Sequence, residues 1–96
     1  MTSSSGGNPT PPSSVLEEAE ALIHGDRHDQ YGSALDEFAK VGQVWAVVLG
    51  LDDPVRPDAV ALCMAALKLV REAHKHKRDN LVDMAGYIGL VEECIQ

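Results

Sequence analysis

Three groups of side chains carry the chemistry open to this chain. The first is the polar segment Gly25-Asp26-Arg27-His28-Asp29-Gln30-Tyr31-Gly32, which sets carboxylates, a guanidinium and a phenol between two glycines. Loops of that kind host ligands more often than helix faces do. The same groups serve structure if Asp26 braces the turn, Arg27 pairs with it and Tyr31 packs on the helix that follows. The second group is a run of cations, Lys68, Arg71, Lys75, Lys77 and Arg78, in which five of the eight basic residues fall within eleven positions. A local reversal of charge on an acidic chain can hold phosphate oxygens. The plain alternative is a Lys68–Glu72 pair at i,i+4 and cations set against a helix C-terminal dipole. The third group is Asn80, Asp83 and Tyr87, at i, i+3 and i+7 on one helix face. A carboxylate at the margin of a core needs a partner. Asp83 can be braced by Lys68 or Arg71, or it can ligate Mg2+, an ion that takes one or two carboxylates plus substrate phosphates.

Composition bounds what these groups can do. The chain has 96 residues and a formal net charge of −7, with a pI near 4.8. An excess of acid argues against general nucleic-acid binding, which needs Lys and Arg to replace the counterions of many phosphates. No apolar run approaches the roughly 20 residues of a membrane span, and no basic start precedes an apolar leader. Cys63 and Cys94 lie in predicted helices without CxxC spacing, so they read as buried thiols in a reducing compartment, and the expected location is the cytoplasm. No Ser/His/Asp set, cysteine nucleophile motif or glycine-rich phosphate loop is present.

The elements that must position the three groups are helical throughout. Residues 1–13 are rich in Ser, Gly, Thr and Pro and read as a disordered tail, leaving 14–96 as a single all-α domain. Ser14-Val15-Leu16-Glu17 is a capping box, and Val15, Leu16, Ala19, Leu22 and Ile23 share the face of the helix it opens. Gly25 stops that helix, and the polar segment follows as an ordered loop. Ser33 caps a second helix to about Leu49 with the arc Ala34, Phe38, Val41, Trp45, Val48 and Leu49, and Gly50 ends it. Val44 and Val47 fall off that arc and suggest a second contact surface. Pro57 opens a third helix at its first position. Between Ala59 and Val70 only Lys68 is polar, which predicts a central helix buried over most of its circumference. Asp79 or Asn80 should cap the fourth, with Leu81, Met84, Ile88, Val91 and Ile95 as its core stripe and Val82, Gly86 and Gly89 as a small-residue groove. The expected fold is a compact bundle of four helices. Much of its apolar content is alanine and its aromatic residues are few, so oligomerisation is the expected way to complete the core.

The motifs Gly25-Asp26-Arg27, Tyr31-Gly32, Lys68 with Arg71, Asp79-Asn80, Asp83 and Gly86-Tyr87, together with Phe38 and Trp45, resemble a family of small all-α bacteriophage proteins often labelled MazG-like. The resemblance covers about Val15 to Glu93. MazG-type enzymes are Mg2+-dependent nucleoside triphosphate pyrophosphohydrolases whose metal is held by Glu-Glu-x-x-Glu on one helix and Glu-x-x-Asp on a later one. Here Glu17-Glu18-Ala19-Glu20 departs from the first spacing, and Asn80-Leu81-Val82-Asp83 keeps the aspartate of the second. Asn80 would ligate through its carbonyl oxygen and bring no charge. The resemblance implies a nucleotide-handling protein. Asp83, Asn80 and Glu37 (or Asp36) would hold Mg2+, Arg27, Lys68 and Arg71 would neutralise phosphates, and Tyr31 or Tyr87 would stack on or bond the base. The competing expectation is a non-catalytic oligomeric module that sequesters a nucleotide signal or binds a host protein.

Overall fold

A computed structural model describes residues 14–25, 27, 30 and 32–95. The expected tail, residues 1–13, lies outside them, as do Asp26 and Tyr31. Helix α1 spans Val15–His24, α2 Ala34–Leu49, α3 Pro57–His74 and α4 Arg78–Cys94. No strand occurs among the described residues, and the fold is all-α. Arg27 and Gln30 also have helical backbone, where the sequence predicts a loop.

The helix ends follow local chemistry. The Glu17 amide donates to Ser14 Oγ at 3.1 Å, and the Ser14 amide donates to Glu17 Oε1 at 3.0 Å, completing the capping box. These bonds from Ser14 favour the ionised carboxylate and hold Glu17 below its ordinary range. Ser33 Oγ accepts the Asp36 amide at the start of α2. Gly50 ends α2 in the left-handed region at φ 71°, and the Leu51 amide reaches back to the Ala46 carbonyl at 2.8 Å, a Schellman closure. Pro57 occupies the first turn of α3.

One expected cap is replaced by a tertiary one. Helix α4 starts after Lys77, not at Asp79 or Asn80, and no side chain at that position caps it. Glu72, near the end of α3, supplies the acceptor: Glu72 Oε1 takes the Lys77 amide at 3.0 Å and lies 3.4 Å from Asn80 Nδ2. The connection is only residues 75–77, so α3 and α4 form a tight helical hairpin.

Packing makes α4 the hub. It has its most extensive contact with α3, a smaller one with α1 and the least with α2, which also touches α3; α1 contacts neither α2 nor α3 among the described residues. This corrects the expectation that α3 is central. The outer side of α3 leaves Leu62, Leu69 and Val70 exposed to between 48% and 66%. The reason lies in α4's small side chains: a Cβ at Gly89 would stand 2.7 Å from Ile23 Cδ1, so α1 settles directly on that side. The buried side of α4 is consequently Asn80, Val82, Leu90 and Cys94, while Ile88 and Ile95 of the expected stripe are exposed.

The core joins Ala34, Phe38, Val60, Ala61, Leu90 and Cys94, with Ile23, Trp45, Met64 and Tyr87 packed around it. In α2 the buried positions include Gly42 and Ala46, whereas Val48 and Leu49 are exposed. Val44, Val47 and Val48, at i, i+3 and i+4, form a second apolar stripe on α2 open to solvent, and Leu51 is exposed just past the helix end. The link into α3 folds back on α2. The Val55 amide donates to the Gly42 carbonyl at 3.1 Å, so closely that a Cβ at Gly42 would lie 2.0 Å from the Val55 oxygen. Cys94 is buried as expected and burial pushes its thiol pKa up. Cys63 is exposed, because it faces out from α3.

Candidate functional site

The site is built where the segment after α1 meets α4. Arg27 ion-pairs with Glu37 on the first turns of α2. Its guanidinium lies 4.9 Å from the centre of the Phe38 ring, a cation–π distance. Phe38 in turn meets Tyr87 of α4, with ring centres 6.3 Å apart. Arg27 is thereby fixed against the core, and its pair among the described residues is with Glu37, while Asp26 lies outside them. A cleft of about 270 Å3 opens beside it, lined by Leu22, Arg27, Asp83, Gly86, Tyr87 and others. Gly86 has open space on its Cα side, which leaves room above the floor of the cleft.

A second cleft, of about 620 Å3, runs along the α3–α4 hairpin and is lined by Lys68, Arg71, Lys75, Lys77, Asn80 and Asp83, among others. Both volumes are near or within the range of small-molecule sites. Lys68 Nζ is 3.0 Å from Asp83 Oδ2. The Lys68 side chain is 17% exposed and that of Asp83 36%. The brace weighed from sequence is therefore present through Lys68, and the local Lys68–Glu72 pairing is not made. Arg71, Lys75 and Lys77 have no carboxylate partner among the described residues. Arg78 leaves the cationic group: it pairs with Glu18 of α1.

Glu72 is the residue that sequence reasoning underrated. Besides the Lys77 amide and Asn80, it accepts from His76 Nδ1 at 2.5 Å. That bond, followed by the Lys77 amide, holds the Glu72 carboxyl below its usual range. The available signal was its second i,i+4 neighbour, His76, on the side of the hairpin turn.

Of the expected site residues, Arg27, Asp83 and Tyr87 share the first cleft, while Lys68, Arg71, Asn80 and Asp83 share the second. Tyr31 lies outside the described residues. The three expected magnesium ligands do not form a cage. Glu37 is held by Arg27, Asp83 by Lys68, and the Asn80 amide turns its nitrogen to Glu72. No group of three His, Cys, Asp or Glu side chains among the described residues is arranged to hold a metal ion. This donor set does not fit a protein-held Mg2+, because Glu37 and Asp83 are each already paired with a cation.

No described helix is long and apolar enough to cross a membrane. No solved structure matches this chain. It is 36% identical over 84 residues to Gene 55 protein of Mycobacterium phage D29, covering 86% of this chain and 54% of that protein. Gene 55 protein of Mycobacterium phage L5 is 34% identical over 82 residues, covering 83% of this chain and 51% of that one. The chain thus spans about half the length of these curated relatives. Residues 14–95 match the family described as Domain of unknown function (DUF6378), and the chain belongs to that family, whose relatives here are bacteriophage proteins.

Proposed function

We propose that this domain of a bacteriophage protein family binds a nucleotide in the host cytoplasm and retains it without hydrolysis. The phosphates would lie along Lys68, Arg71 and Lys75, and the base or sugar would sit against Tyr87 and Arg27. The observation that carries this reading is the position of Asp83, which lines both clefts, so that an aromatic-walled recess and a row of cations are neighbours at one side chain. Tyr87 provides a ring face and a hydroxyl for a base, and guanidinium and ammonium groups suit phosphate oxygens. The nucleotide class is taken from the MazG-like resemblance of these same residues.

Retention is favoured over pyrophosphohydrolysis by the carboxylates. A metal-dependent hydrolase needs acidic side chains free to hold the ion and orient a water. Glu37 and Asp83 are instead committed to Arg27 and Lys68. The exposed stripe Val44, Val47 and Val48, with Leu51 past its end, suits a second copy of the chain, and the proposed state is a homo-oligomer.

Incubating the protein with nucleoside triphosphates and Mg2+ tests the reading. A rise in melting temperature without pyrophosphate release is expected, since ligand at a hundredfold excess over Kd adds about 2.7 kcal/mol of stability. Pyrophosphate release abolished by Asp83→Asn would overturn retention in favour of the hydrolase.

A further inference from the structure

The Lys68–Asp83 pair has an asymmetry that bears on ligand choice. Lys68 is the only polar residue between Ala59 and Val70, and most of its side chain is shielded, so its charge needs a local counter-charge. Asp83 supplies one, and at 36% exposure it is the more solvated partner. The next cations along the same cleft, Arg71 and Lys75, form no ion pair among the described residues, and the cleft's other carboxylate is Asp79. At 1.5 Å of rise per residue the helix runs about 9 Å from Lys68 to its end at His74, and Lys75 follows as its C-cap. A row of cations over that length exceeds a single phosphate and suits a chain of them.

We infer that Asp83 is a built-in competitor for the ligand, holding Lys68 until a polyphosphate displaces it. The site therefore selects nucleoside di- and triphosphates over monophosphates. This inference rests on the nucleotide reading and deepens it. A monophosphate must dislodge Asp83 for little more than the contact it replaces. A polyphosphate gains Arg71 and Lys75 as well, which Asp83 does not neutralise. The displaced carboxylate remains in the wall of the Tyr87 cleft, where it accepts hydrogen bonds from hydroxyl or amino groups of a nucleoside. Asp83 thus acts at both ends: it excludes weak anions from Lys68 and offers an acceptor to a ligand that carries a sugar or base.

Calorimetric titration of the full chain tests this, with inorganic tripolyphosphate, a nucleoside triphosphate and the matching monophosphate as probes, in EDTA and again in Mg2+. Asp83→Asn should tighten tripolyphosphate binding about five-fold in EDTA, the equivalent of removing a competing pair worth about 1 kcal/mol. Lys68→Gln should weaken it in both backgrounds. Asp83→Ser, a smaller and uncharged replacement, should repeat the tightening, and circular dichroism checks that each variant is folded. If wild type binds the nucleoside triphosphate and Lys68→Gln loses it while both Asp83 variants bind tripolyphosphate no tighter than wild type, the competitor role is refuted and the nucleotide reading stands. Weaker binding by Asp83→Asn in Mg2+ alone would refute it too, and would make Asp83 a metal ligand. If wild type binds none of the probes at low salt, both the inference and the reading beneath it fall.

Discussion

Replacing Gly42 by alanine should destabilise the domain even though alanine is the better helix former. In a solvent-exposed helix the substitution gains about 0.8–1.0 kcal/mol. At Gly42 the new methyl group would stand 2.0 Å from the Val55 carbonyl oxygen and 3.0 Å from its carbon. Those are backbone atoms and cannot turn aside as a side-chain tip can. Relief requires moving the 51–56 link by about an ångström, which stretches the 3.1 Å bond from the Val55 amide to the Gly42 carbonyl. Losing that bond costs about 1 kcal/mol, and overpacking costs a further 1–3 kcal/mol. The net loss is about 1–3 kcal/mol, or roughly 5–20 °C in a domain of this size. Thermal melts followed by circular dichroism measure it directly. Gly86→Ala is the control: a Cβ there meets nothing within 4 Å, so the same substitution should raise the melting point by a few degrees, from about 0.5–1 kcal/mol. A Gly42→Ala protein that melts at or above wild type would refute the close approach of the link to α2.

Arg27→Met should lower stability by about 1–3 kcal/mol, because Glu37 keeps a half-buried carboxylate without its partner; adding Glu37→Gln should restore part of the loss in a double-mutant melt. Glu72 has a folded pKa below its ordinary 4.5, so its stabilisation is whole above that value and is lost as pH falls through the folded one. Melting temperatures between about pH 3 and pH 7 should accordingly show a shallower acid decline for Glu72→Gln than for wild type. Iodoacetamide should alkylate Cys63 and spare Cys94, which is 1% exposed and has its thiol pKa raised by burial; peptide mass spectrometry reads both sites, and equal labelling would mean that the end of α4 is not packed.

What could be read from the sequence was local. The capping box at Ser14, the left-handed turn at Gly50 and Pro57 in a first turn each depend on a few neighbouring residues, and all are found. The packing of α4 was not legible. With Leu81, Val82, Met84, Ile88 and Leu90 spread around it, the helical period leaves several sides equally apolar, and only the approach of α1 to Gly89 decides between them. Lys68 had two pairings open to it in the sequence, Glu72 on its own helix and Asp83 on the next, and the structure makes the second. Glu72 is its neighbour along the helix, but Glu72 is drawn to the hairpin turn and Asp83 is presented from another helix. In the site, the juxtaposition of Arg27 with Asp83 and Tyr87 follows from the Arg27–Phe38–Tyr87 stack. No spacing rule gives that stack, since its members lie on three separate stretches of chain.

Because one helix, α4, touches all three others, those three have little to fold against until it is in place. Among the described residues α1 meets no other helix, and α2 keeps only its modest seam with α3. Assembly must therefore wait for α4, which follows the other three in the chain, and an intermediate that lacks it shows bare apolar helix faces to the cell. A stop codon within α4 would leave no smaller working version of the domain.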